Sequence, residues 1–161
     1  MDNQSDDVPL GPIRVGVVYN LKQGGAVDAA PDGEAEYDSM DTVLAIGRAI
    51  ARQGCQAVLL EADGRLLQRL DETQPDIVFN IAEGRGGRAR EAQVPALLNL
   101  LHIPFTGSDE TTLCIALDKA LTKRLLSTYR IPTPRYRAFS PGDVVRAPSL
   151  HYPVIVKPNA E

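Results

Sequence analysis

The chain has 161 residues, a hydrophobic content of 43%, a charged content of 24% and a formal net charge of −4. That length holds one well-buried domain with some chain to spare, and the acidic balance gives no broad electrostatic attraction to nucleic acid or to an anionic membrane. No run approaches the roughly 20 apolar residues that span a bilayer, and with five Tyr, three Phe and no Trp the core must be aliphatic.

Residues 1–12 are acidic and carry no apolar stretch, which reads as a flexible leader rather than a signal peptide. Residues 13–20, IRVGVVYN, are a β-branched run ending in a polar residue, the pattern of a buried parallel strand. A loop rich in Gly, Ala and Asp follows, to about Asp38. Ser39 is placed to cap a helix whose apolar stripe is Met40, Val43, Leu44, Gly47, Ile50 and Ala51, and Gly54 is placed to end it. Residues 57–61 make a second strand, residues 64–72 a short amphipathic helix, and residues 77–81 a third strand. Strand and helix alternating in this order predict a parallel sheet with helices on both faces.

A loop rich in Gly and Arg over residues 83–93 leads into a helix carrying Leu97, Leu98, Leu100 and Leu101, where Pro95 is tolerable only in the first turn. Residues 102–108, HIPFTGS, predict a brief fourth strand and a turn, after which Ser108 caps a helix over 109–116. Asp118 caps another helix from Lys119 to about Tyr129, with Leu121, Leu125 and Leu126 facing inward. Prolines at 132, 134 and 141 then change the character of the chain. Residues 135–139 alternate, and residues 154–156 read as a further strand before Lys157. The expected organisation is an α/β, Rossmann-like domain over 13–117 and the opening of a second, α+β module over 118–161. Cys55 and Cys114 have no metal-like or redox spacing, as expected of reduced, buried thiols in a cytoplasmic protein.

In open α/β sheets, ligands bind beyond the carboxyl ends of the strands. Three segments occupy that edge. In residues 24–39, GGAVDAAPDGEAEYDS, glycines admit a close ligand and Glu34, Glu36 or Asp38 can point a carboxylate at the next helix, although such acids also simply favour a helix N-terminus. In residues 83–93, EGRGGRAREAQ, the dinucleotide and P-loop spacings are missing. Arg85, Arg88 and Arg90 beside Glu83 and Glu91 suit a zwitterion or a carboxylate, or else a solvated turn with weak ion pairs. The third feature is a pair of lysines. Lys119 lies on the helix after Asp118, and Lys157 follows an apolar run directly, where a lysine needs an anion such as a nucleotide phosphate.

Two stretches, TGSDETTLCIALDKALTKRLL (106–126) and YPVIVKPNAE (152–161), resemble the ATP-grasp ligases, most closely the D-alanine–D-alanine ligase group. The resemblance covers nearly the whole chain from residue 13. It implies a Rossmann-like pre-ATP-grasp domain followed by the start of an α+β ATP-grasp domain. It also implies an ATP- and Mg²⁺-dependent carboxylate–amine ligase that works through an acyl phosphate on amino-acid-like substrates. By the same resemblance Lys119 and Lys157 contact ATP, and Glu36, or Glu34 in another register, is the catalytic-site carboxylate that engages the substrate amine. Glu83 and Arg88 then select substrate. At those positions D-alanine ligases carry a His-Gly pair and then Gly-Gly-Glu-Asp-Gly, whereas this chain has Glu83-Gly84 and then Gly86-Gly87-Arg88-Ala89-Arg90. The family is commonly dimeric through this domain, and its Gly-Ser-Ser loop follows a glutamate matching Glu161. The 161 residues by themselves are therefore expected to be inactive. The alternative is a non-catalytic domain of the same fold that binds a small molecule or a partner.

Overall fold

The structure, a computed structural model, describes residues 11–22, 36–144 and 150–160. Glu34, Glu161 and most of the expected leader lie outside the described residues. Strands β1 (Arg14–Tyr19), β2 (Gln56–Glu61) and β3 (Ile77–Asn80) form a parallel sheet in the order β2-β1-β3. In the register, Val17 lies opposite Leu59 on one side and Phe79 on the other. Each strand lies within one residue of its expected bounds.

Five helices accompany the sheet: α1 (Met40–Arg52), α2 (Leu66–Thr73), α3 (Gln93–Leu100), α4 (Glu110–Leu117) and α5 (Lys119–Thr128). Ser39 caps α1 as expected, its Oγ accepting from Thr42 N at 3.2 Å, and Gly54 follows the helix with φ of 81°. Gly47 is where α1 meets the sheet: a Cβ there would sit 3.4 Å from Leu59 Cδ2. Pro95 falls in the first turn of α3, where its missing N–H costs no helical bond.

Successive side chains of a strand point to opposite faces, and β1 divides the core accordingly. Val17 and Tyr19 pack with Val43, Ile46 and Ile50 of α1. Val18 packs on the other side with Leu66 and Leu70 of α2 and with Val94 and Leu98 of α3. The chain therefore leaves β1 and β3 toward opposite faces of the sheet. Between neighbouring strands whose connections diverge in this way a crevice opens at their carboxyl ends.

Several expectations change. The fourth strand reduces to one parallel bridge, Val78 with Phe105, because Pro104 and the turn at Gly107 allow only Val78 N to Pro104 O at 2.8 Å and Thr106 N to Val78 O at 2.9 Å. Asp109, not Ser108, caps α4, with its Oδ1 accepting from Thr112 N at 2.7 Å. Leu121 and Leu125 are exposed rather than inward, while Leu126 is half-buried. Residues 154–156 form no strand, since no neighbouring strand among the described residues offers them a ladder. Both cysteines are free thiols of intermediate burial.

Candidate functional site

The crevice between β1 and β3 is built around Asn20, the polar residue that ends the first apolar run. It is 1% exposed. Its Nδ2 donates to Ala62 O and its Oδ1 accepts from Gly84 N, both at 2.9 Å, so one amide ties the end of β2 to the loop after β3. A buried amide with both ends satisfied holds such a junction in one geometry. Asp38 N donates to Asn20 O at 2.9 Å and Lys22 N to Asp38 O at 3.2 Å, which brings Glu36 and Tyr37 back to the end of β1. Tyr37 Oη then donates to Gly84 O at 3.1 Å. Gly84 has φ of 73°, and a Cβ on it would lie 1.9 Å from Arg90 O, so no other residue fits without moving the loop.

Arg90 occupies the centre, its side chain only 11% exposed. Its Nη2 pairs with Glu36 Oε2, and its Nη1 donates to Glu83 O at 2.9 Å. Glu83 Oε2 lies 3.6 Å from Nη1 and Glu91 Oε1 lies 3.8 Å from Nη2. Burial, then the neighbouring Glu91 and Glu36, push the Glu83 carboxyl above its ordinary range, with Arg90 opposing them. One guanidinium among three carboxylates leaves the crevice net negative, a setting that favours a cationic group. Gln93 holds the glycine-rich loop: its Oε1 accepts from Arg85 N at 3.0 Å, and its Nε2 donates to Arg85 O at 3.0 Å and Gly86 O at 3.2 Å. Arg85 turns away to Glu61, at 3.2 Å.

The two lysine-bearing stretches meet elsewhere along the same edge. Asp118 caps α5 through Leu121 N at 2.9 Å, accepts from Asn159 Nδ2 at 2.9 Å, and pairs with the exposed Arg88 at 2.9 Å. The Leu121 N–H, then Asn159 and Arg88, hold the Asp118 carboxyl below its ordinary range. Asn159 in turn accepts from Lys119 N through its backbone oxygen and from Ala120 N through its Oδ1, both at 2.9 Å. Lys157, two residues earlier, is exposed, and Lys119 is half-buried.

Of the residues singled out from sequence, Glu36 and Glu83 come together through Arg90, Arg88 reaches Asp118 rather than either glutamate, and the stretches of Lys119 and Lys157 are joined. Sequence reasoning missed the parts played by Asn20, Arg90 and Asn159. Asn20 carried a signal, a polar residue closing a buried run, whereas nothing in the spacing separates Arg90 from Arg85 and Arg88. Among the described residues no group of three or more His, Cys, Asp or Glu is arranged for a metal ion, and no helix is long and apolar enough to cross a membrane.

No family model matches the chain. Among solved structures it resembles D-alanine–D-alanine ligase from Bacillus anthracis complexed with ATP, with a TM-score of 0.57 and 18% identity over 83% of this chain and 42% of that one. This likeness in fold, with the parallel sheet, defines a Rossmann-like α/β protein of the kind that begins such ligases. In sequence the chain is 36% identical over 124 residues to D-alanine–D-alanine ligase of Aquifex aeolicus, covering 76% of this chain and 42% of the relative. It is 33% identical over 150 residues to D-alanine–D-alanine ligase of Pseudomonas putida, covering 92% and 43%. The chain belongs to the D-alanine–D-alanine ligase-like ATP-grasp family. It spans less than half the length of the curated relatives it matches, at 42% and 43%.

Proposed function

We propose that the chain is the amino-terminal part of an ATP-dependent carboxylate–amine ligase acting on amino-acid-like substrates. Residues 13–117 are its pre-ATP-grasp domain, and residues 118–161 open its ATP-grasp domain. The γ-phosphoryl of ATP passes to a substrate carboxylate, giving an acyl phosphate and ADP. A second substrate's amine then attacks the acyl carbon and phosphate leaves, so that an amide bond remains. The protein's part is to position the reactants and offset charge. Glu36 engages the substrate ammonium in the net-negative crevice, with Glu83 beside it. Arg88, at the mouth of the same loop, selects substrate, and Lys119 and Lys157 hold the nucleotide. Mg²⁺, which ligases of this kind use, finds no ligand group among the described residues, and no step is assigned to it.

The observation that carries this reading is the 2.9 Å hydrogen bond from Lys119 N to Asn159 O. It joins the two stretches that a shared nucleotide site requires to be neighbours. Titration of the protein with ATP, followed by NMR, tests the reading. Lys119→Ala and Lys157→Ala are each expected to weaken binding by about tenfold, the effect of losing one charge-assisted contact. Affinity unchanged from the unsubstituted protein in both variants overturns the nucleotide assignment. The 161 residues alone are expected to release no ADP with any amino acid. Turnover at ordinary enzyme rates, about 1 s⁻¹ or faster, overturns that part.

A further inference from the structure

The first turn of an α-helix presents N–H groups that intrahelical bonds cannot satisfy, and such groups often receive a phosphate. In α5 they are already taken. Lys119 N donates to Asn159 O, Ala120 N to Asn159 Oδ1 and Leu121 N to Asp118 Oδ1, all at 2.9 Å, ahead of the first intrahelical bond, from Thr122 N to Asp118 O. A nucleotide at this end of α5 is thus left to side chains, and the spacing of their charges decides how well it is held.

Asn159 sets that spacing with every polar group it has on this side. Beyond the two bonds it accepts, its Nδ2 donates to Asp118 Oδ1 at 2.9 Å, across 41 positions of sequence. Only Pro158 separates it from Lys157, and the proline ring restricts the backbone between them. Packing does not hold the stretch before it, because Ile155 and Val156 are 82% and 93% exposed. Arg88 meets the other oxygen of Asp118 at 2.9 Å, so the glycine-rich loop after β3 touches the same junction.

We propose that Asn159 is a positioning residue: with Asp118 it latches the chain after Lys157 to the start of α5, and so sets Lys157 and Lys119 at the separation one nucleotide polyphosphate bridges. This rests on the nucleotide role proposed above for those lysines. The latch acts only through Lys157 and Lys119, and Asn159 itself touches no nucleotide.

The test uses the 161-residue protein. Hydrogen exchange at the Lys119 and Ala120 amides reads the latch, and titration with ATP reads its consequence. Asn159→Ala removes the bonds to Ala120 N and to Asp118 Oδ1; exchange at Ala120 is expected to speed by about tenfold, the effect of losing its one partner, and ATP binding to weaken by a similar factor. Each titration is run well below the variant's melting temperature, so that only folded protein is compared. A residue needed only for folding lowers the melting temperature and leaves the ATP affinity of the folded protein unchanged. Unchanged exchange at Ala120 in Asn159→Ala overturns the latch. Faster exchange with unchanged ATP affinity overturns the positioning role and leaves the lysine assignment standing. Full ATP affinity in Lys119→Ala and Lys157→Ala defeats the lysine assignment, and this inference with it, whatever the amides report.

Discussion

Two stretches of similar apolar character end up in opposite conditions. Val15-Gly16-Val17-Val18 lies in β1, paired on both sides, with Val17 and Val18 fully buried. Val154-Ile155-Val156 forms no strand and faces outward, with Val156 at 93% exposure. The difference is not in the side chains. A strand's N–H and C=O groups need a ladder partner on a neighbouring strand, and β1 finds one on each side while residues 154–156 find none among the described residues. Hydrophobic patterning states which stretches are able to be strands; the neighbours decide which ones become strands.

The largest expected effect tests whether stability lies on the sheet side of this contrast. Leu98 is fully buried beneath β1 and β3, so Leu98→Ala leaves a cavity and is expected to cost about 3 kcal/mol, read from urea denaturation. A loss below about 1 kcal/mol means that the core beneath α3 collapses around the gap or was never tightly packed. Asn20→Ala comes next, at about 2 kcal/mol, because it strips buried partners from Gly84 N and Ala62 O together. Its effect is also expected to show as faster exchange of the Gly84 amide. Unaltered exchange there removes Asn20 from its place as the junction of the crevice.

The same contrast explains what was legible in the sequence. Strands β1 to β3 and helices α1 to α3 were readable because each carries its own periodicity and stop signals, and because consecutive elements pack against one another. The expected strand at 154–156 failed because its ladder partner is not encoded locally. The fourth strand shrank to a bridge because Pro104 and Gly107 interrupt the backbone. Leu121 and Leu125 of α5 have the spacing of an inward face but no described surface to meet. At the site, residue types announced themselves while pairings did not. The sequence offers three arginines of one loop as equals, and the fold sends Arg85 to Glu61, Arg88 to Asp118 and Arg90 to Glu36. Those choices depend on where Gly84 lets the loop turn.

Within the sheet side, the crevice is where stability is given up, and pH exposes it. Burial first, then Glu91 and Glu36, raise the folded-state pKa of Glu83 above 4.5. The fold therefore holds this proton more tightly than the unfolded chain does. That stabilisation is fully present below pH 4.5 and is lost as pH rises through the raised folded value. Glu83→Gln keeps the shape and removes the ionisation. It is expected to give a small rise in melting temperature at pH 7 that fades toward pH 4. A fall at pH 7 instead means that the 3.6 Å approach of Arg90 outweighs burial, and that the crevice is less negative than its residues suggest.

The smallest effect is expected at the exposed stretch, and it defines the other pole of the contrast. Val156 is 93% exposed, so Val156→Ser removes almost no apolar surface that folding had taken from water. The change in stability should stay within about 0.5 kcal/mol, the range of surface substitutions away from special features. Val17→Ser, made as the matched control in β1, removes a fully buried side chain and inserts a hydroxyl, and should cost several times more. If Val156→Ser proves costly as well, something covers residues 154–156 in solution, and sedimentation at two protein concentrations identifies it. A loss that grows with concentration points to a second copy of the chain lending the missing ladder, since only an intermolecular contact obeys mass action. A loss independent of concentration means that the stretch packs on its own chain, and that its exposure is not what separates it from β1.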